Sequence, residues 1–169
     1  MINTNDLTSD YIRDLNPKEV LDLGCGKGRI SLMFLKKGSN VVGVDKKTNE
    51  ICQKNFKFIN SDILDFKIDK KYDLIIASLV LHFLEKSDAI RIIRDIKENT
   101  SENGYNLLLC LSKKDDFYKK GNFYPDLDEV KKIYSDWKIV KSTQDFTPIE
   151  EHGGLKPHRH NIVFVLAKK

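Results

Sequence analysis

Three observations predict an α/β fold built on a doubly wound sheet of seven mostly parallel strands, the last of them antiparallel. Residues 20–35 read as a strand that runs into a glycine turn and at once into a helix. Three successive short apolar segments end in acids, at Asp22, Asp45 and Asp62. Residues 72–83 are nearly continuously apolar, the pattern of a central parallel strand covered on both faces.

Taken in order, residues 1–19 form a short cap, with Leu7, Tyr11, Ile12 and Leu15 spaced for a helix that ends before Pro17. The strand at 20–23 meets Gly24, Gly26 and Gly28, a turn that lets the backbone pass close under a ligand. The following helix closes on Lys36, Lys37 and Gly38, and residues 41–45 make a second strand. Residues 48–55 fit a short helix, 56–62 a third strand and 72–83 a fourth. A helix over 87–98, a fifth strand over 104–111, and a polar and aromatic connection carrying Phe117, Tyr118, Phe123 and Tyr124 come next. Asp126 to Glu129 fit a capping box that opens a helix, and residues 137–146 and 161–167 form a terminal hairpin.

Composition narrows the class. The 169 residues predict one domain spanning 1–169, long enough to bury a real core. No long apolar run or signal-like start is present, so the expectation is a cytoplasmic protein with no membrane partner. The three cysteines lie in unrelated contexts and suit reduced thiols. The net charge of +4 is dispersed, which argues against a nucleic-acid partner, because such proteins concentrate their cations.

In parallel sheets ligands sit beyond the carboxyl ends of the strands, so Asp22, Asp45 and Asp62 converge on one crevice. A pyrophosphate would be repelled there, and the glycines fall as G-x-G-x-G rather than the dinucleotide G-x-G-x-x-G, with Arg29 where the third glycine would stand. An adenosine that carries a cation suits the three acids better. A nicotinamide-dependent oxidoreductase and an RNA methyltransferase are the alternatives.

With its acid followed by G-x-G-x-G, the chain resembles the class I S-adenosylmethionine-dependent methyltransferases, whose Rossmann-like sheet has the predicted strand count and order. Within them it is most similar to the tellurite-resistance methyltransferases and their small-molecule relatives. LDLGCGKGR at 21–29, VVGVDKK at 41–47, YDLIIASLVLHFLE at 72–85, GYNLLL at 104–109 and VFVLAKK at 163–169 carry the resemblance. It implies S-adenosylmethionine as cofactor and a small-molecule acceptor, a chalcogen oxyanion or a thiol-type nucleophile, methylated by in-line displacement. It also implies cofactor contacts at Asp22, Gly24, Cys25, Gly26 and Gly28, at Asp45 and Lys46 by the ribose, at Asp62 and Ile63 by the adenine, and at Ala77 and Ser78 by the methionyl group. That family places a His-Arg pair before the last strand and an aspartate just after the fifth. Here Gly153 follows His152, the basic trio is His158-Arg159-His160, and Lys113 takes the expected acid position, with Asp115 and Asp116 displaced.

The acceptor end of the site is therefore assigned to His152, Arg159 and His158. Arg offers a bidentate fork for an anion, and a histidine can take a proton near neutral pH. Two histidines at i and i+2 also fit a zinc site, but no cysteine is near, and no metal is expected. The oligomeric state is left open.

Overall fold

The computed structural model describes residues 10–151 and 156–169. Strands β1 (Glu19–Leu23), β2 (Asn40–Asp45), β3 (Phe56–Asn60), β4 (Tyr72–Ser78), β5 (Thr100–Leu111), β6 (Lys138–Phe146) and β7 (Asn161–Lys168) form one sheet in the order β3-β2-β1-β4-β5-β7-β6. The pairs β1–β2, β2–β3, β1–β4 and β4–β5 are parallel, whereas β7 runs antiparallel to both β5 and β6. The predicted fold class is therefore observed, and the chain reverses its strand order between β1 and β4. That reversal opens a crevice at the carboxyl ends of the two strands.

Helix α1 (Arg29–Leu35) packs Ile30, Phe34 and Leu35 against one face of the sheet. Helix α2 (Lys86–Glu98) packs Ala89, Ile92, Ile93 and Ile96 against the other. Strand β7 shows why both faces must be apolar: Ile162, Phe164 and Leu166 join the first cluster, and Val163, Val165 and Ala167 the second. Helix α3 (Leu127–Ile133) opens on the predicted capping box, in which the Asp126 side chain accepts from the Glu129 amide at 3.0 Å. A buried polar chain ties the end of α3 to the sheet: the Tyr134 hydroxyl donates to Asn106, whose amide nitrogen donates to Thr100.

Three local expectations are corrected. Residues 48–55 form no helix; the Asn49 side chain accepts from the Ile51 amide at 2.8 Å and donates to the Gly26 carbonyl at 2.6 Å, a local side-chain-to-backbone turn that ties the segment to the glycine turn. Strand β3 stops at Asn60, two residues before its acid. Strand β4 stops at Ser78, where Leu79 adopts φ +54°, and a single 3-10 turn over Leu81–Phe83 replaces the rest of the apolar run. A leucine in that left-handed region is strained, and the reversal swings the segment 79–83 across the carboxyl edge of the sheet. The N-terminal helix is described only from residue 10, where residues 10–12 are helical.

Candidate functional site

The glycine turn begins where β1 ends. Gly24 and Gly26 have φ of +70° and +53°, values that an L side chain tolerates poorly. The turn is pinned to the next strand by the amides of Gly24 and Cys25, which both donate to the Val44 carbonyl, at 2.8 and 3.1 Å. The Asp45 carboxylate is then held from both sides, by the Gly26 amide at 2.8 Å and the Lys47 amide at 2.8 Å. Asp62 accepts from the Leu64 amide at 3.0 Å and pairs with the Lys46 ammonium at 2.7 Å. The amide bond first and the ammonium second hold its carboxyl below the ordinary range.

These residues line a cavity of about 500 Å³, with Gly24, Gly26, Asp45, Lys46, Asp62 and Ile63 on one side and Leu79, Val80, Phe83 and Leu84 on the other. A Cβ added to Gly26 would meet nothing within 4 Å, whereas one on Gly24 would lie 2.4 Å from Val80 Cγ2. The floor is thus bare backbone, and two fixed carboxylates stand at its rim. Those acceptors fit a ligand with paired hydroxyls and an amino-bearing ring.

Other residues assigned to this site do not reach the cavity wall. Asp22 is 2% exposed and accepts the Ser31 hydroxyl at 2.7 Å. Burial, only partly offset by Ser31, pushes its carboxyl up to about 6. It braces the turn against α1 from behind. Cys25 is buried and burial pushes its thiol up to about 12, so it packs and does not react. Gly28 faces Ile51, and Ala77 is fully enclosed in the core. Ser78 is half-buried at the end of β4 and outside the cavity wall.

A second cavity of about 380 Å³ shares Leu79 and Phe83 with the first and is completed by His82, Leu111, Phe117, Tyr124, His158 and His160. It lies over the end of β5 and the start of β7, at the same edge of the sheet. Asp115, its side chain fully enclosed, organises it. One oxygen accepts from His160 Nδ1 at 3.0 Å and the Asn161 amide at 2.9 Å, and the other accepts from the Phe117 amide at 2.9 Å. The rings of His158 and His160 lie 5.0 Å apart, and Phe117 sits 5.0 Å from the first and 5.5 Å from the second. His158 Nδ1 lies 2.8 Å from the Lys156 carbonyl.

The acceptor-side assignments divide. His158 reaches the cavity. Arg159 does not, because successive residues of an extended segment point to opposite sides; its guanidinium stacks 4.0 Å from the Phe146 ring. His152 lies outside the described residues. Lys113, at the expected acid position, pairs with Glu129 at 2.6 Å away from the cavity. Sequence reasoning missed His82, 5% exposed and concealed in an apolar run, whose imidazole burial pushes down to about 4. Among the described residues no three His, Cys, Asp or Glu side chains are grouped to hold a metal ion, and no helix is long and apolar enough to cross a membrane.

The family model of the tellurite resistance protein TehB matches residues 2–155. The probable S-adenosyl-L-methionine-dependent methyltransferase TehB of Haemophilus influenzae is 31% identical over 147 residues, which cover 80% of this chain and 51% of the relative. The crystal structure of TehB from Haemophilus influenzae superposes with a TM-score of 0.80 at 24% identity, over 99% of this chain and 62% of that one. The Burkholderia thailandensis 1,6-didemethyltoxoflavin-N1-methyltransferase, crystallised with 1,6-didemethyltoxoflavin and S-adenosylhomocysteine, superposes with a TM-score of 0.70 at 16% identity, over 98% of this chain and 76% of that one. The chain spans about half the length of the curated relatives it matches.

Proposed function

The chain belongs to the TehB tellurite-resistance protein family, and from that membership we propose that it transfers the methyl group of S-adenosylmethionine to a small-molecule acceptor. The observation that carries this reading is the bare-backbone cavity rimmed by Asp45 and Asp62, which shares Leu79 and Phe83 with a second cavity of about 380 Å³.

When bound, S-adenosylmethionine supplies a methyl group on a sulfonium sulfur: the acceptor's lone pair bonds the methyl carbon while the carbon–sulfur pair returns to sulfur, leaving S-adenosylhomocysteine. The residues do the rest. Asp45 keeps lone pairs for the ribose hydroxyls after taking the Gly26 and Lys47 amides. Asp62 would accept from the adenine amino group, and Ile63 would cover the ring. Lys46 balances the Asp62 charge without entering the turn. Gly24 and Gly26 give the methionyl end room, and Asp22, through Ser31, keeps the turn rigid.

At the acceptor end, Asp115 fixes His160 with Nδ1 as the donor, which makes Nε2 the nitrogen that can take a proton released by the acceptor. His158 packs beside it. Holding donor and acceptor in line at the shared wall is the main contribution, of a kind worth about 7–11 kcal/mol when fully realised. A chalcogen oxyanion and a thiol-type nucleophile both satisfy such a displacement, and they differ in the charge the second cavity must accept.

Calorimetric titration with S-adenosylhomocysteine beside NADH, followed by transfer from methyl-labelled S-adenosylmethionine to an acceptor panel, tests the reading. Binding of S-adenosylhomocysteine alone and acceptor-dependent transfer support it. Binding of NADH, or of neither ligand, overturns it.

A further inference from the structure

Phe83 is 72% exposed, yet Leu81, His82 and Leu84 around it are buried. Its backbone is fastened as well. The Phe83 amide donates to the Val80 carbonyl at 3.2 Å, the Asn122 side chain to the His82 carbonyl at 3.1 Å, and the Phe123 amide to the Leu84 carbonyl at 3.0 Å. Leu79, four residues earlier, holds φ +54°, and strain of that kind collects where a fold positions a functional group. A single exposed ring on a surface needs no explanation. One projected from a strained and fastened segment into the walls of two cavities does.

Leu79 and Phe83 are the residues that the two cavities share. Asp45, Asp62 and Ile63 give the first cavity its adenosine end, and an acceptor in the second cavity is met across the shared wall. In-line displacement therefore sets the sulfonium sulfur against Leu79 and Phe83. Leu79 offers only apolar surface there. The face of a phenyl ring carries partial negative charge and attracts a cation within about 6 Å of its centroid. Other rings of the chain already hold cations in this way, Phe34 the Lys37 ammonium at 5.7 Å and Phe146 the Arg159 guanidinium at 4.0 Å. The ring packed on Phe83 is the His82 imidazole, 4.2 Å away, and burial keeps it neutral by pushing its pKa down to about 4. It adds no competing charge.

We propose that Phe83 is the residue by which the chain tells the methyl-bearing cofactor from its spent form: the ring face takes the sulfonium cation and loses that hold once the methyl group has gone. The inference rests on the reading of the first cavity as the S-adenosylmethionine site. The transfer itself sets the contrast. As the acceptor lone pair bonds the methyl carbon, the carbon–sulfur pair returns to sulfur, and the positive charge beside the ring disappears. S-adenosylhomocysteine keeps the adenine and ribose contacts but meets Phe83 only as an apolar surface. Phe83 thus favours the donor over the product that competes for the same cavity.

Calorimetric titration of the whole chain with S-adenosylmethionine and with S-adenosylhomocysteine, no acceptor being present, tests the inference. Phe83→Leu keeps an apolar side chain and removes the ring. It is expected to weaken S-adenosylmethionine about fivefold more than S-adenosylhomocysteine, the size of a partly desolvated cation–π contact. Phe83→Tyr, which keeps a ring, should leave the ratio of the two affinities within about twofold of the wild type. The exposure of the side chain means that neither substitution should unfold the chain. Thermal unfolding checks this, and Phe83→Met, also without a ring, replaces Phe83→Leu should that variant fail to fold. An equal loss for both ligands in the ringless variant, no loss for either, a greater loss for S-adenosylhomocysteine, or a selective loss that Phe83→Tyr shares overturns the inference. Failure of the wild type to bind either ligand removes the methyltransferase reading and this inference with it, a result distinct from binding of both with a ratio that ignores the ring.

Discussion

The two cavities meet at Leu79 and Phe83 but are built in opposite ways. The first is made largely of backbone from consecutive strand ends: a glycine turn, amides that hold Asp45 and Asp62, and a floor with no side chain at Gly26. The second is made of side chains brought from four distant segments, 79–83, 111–117, 124 and 158–160, and held by one enclosed carboxylate, Asp115. The place of a backbone site at the strand ends follows from topology. A side-chain site is free to differ, so it is where this chain's own specificity resides.

The sharpest way to break that division is Gly24→Ala. Its φ of +70° and a Cβ only 2.4 Å from Val80 Cγ2 leave no relaxed solution. The variant should lose about 2 kcal/mol of stability and bind S-adenosylhomocysteine about 30-fold more weakly, read by thermal unfolding and calorimetry. Wild-type affinity would mean that the turn is not the floor of the cofactor site.

Asp115→Asn tests the other half. Losing the charge-assisted bonds to His160 and two amides should reduce kcat/KM by roughly 10- to 100-fold and stability by about 2 kcal/mol, with S-adenosylhomocysteine affinity within about twofold. An equal loss in cofactor affinity would show that the two cavities are one cooperative unit.

Asp22→Asn separates bracing from binding. Burial raises the Asp22 carboxyl from 3.8 to about 6, so the folded state holds a proton that the unfolded state has released. That contribution to stability is complete below pH 3.8 and is lost as pH rises to about 6, a change of about 3 kcal/mol. The unfolding free energy of the wild type minus that of Asp22→Asn should therefore fall across that window and level off above it. A flat difference would place Asp22 in contact with water. The smallest effect is expected for Arg159→Ala, which should cost less than about 1 kcal/mol through its contact with Phe146 and leave the acceptor KM unchanged. A large rise in KM would return Arg159 to the acceptor site.

The same division governs what could be read in the sequence. The glycine turn and the alternation of strands and helices are patterns with direct structural consequences, and the observed sheet follows them; of the three acids, Asp45 ends its strand, Asp62 lies two residues beyond β3, and Asp22 is buried behind the turn. Local reading failed where a side chain competed with the backbone, as Asn49 does against a helix over 48–55. It failed again where residue type was weighed without direction: Arg159 has the right chemistry, but its neighbours His158 and His160 take the cavity side. His82 was hidden because the strain at Leu79, which turns β4 into the 3-10 segment, leaves no mark in an apolar run. Asp115 could be recognised only once the fold had carried it 45 positions along the chain to His160.

A crystal structure of the chain with S-adenosylhomocysteine decides whether the two cavities serve one reaction. In it the ribose hydroxyls should lie on Asp45, the adenine between Asp62 and Ile63, and the sulfur should point past Leu79 into the cavity of His158 and His160. Adenosine bound elsewhere, or a sulfur facing away from that cavity, would contradict a single reaction.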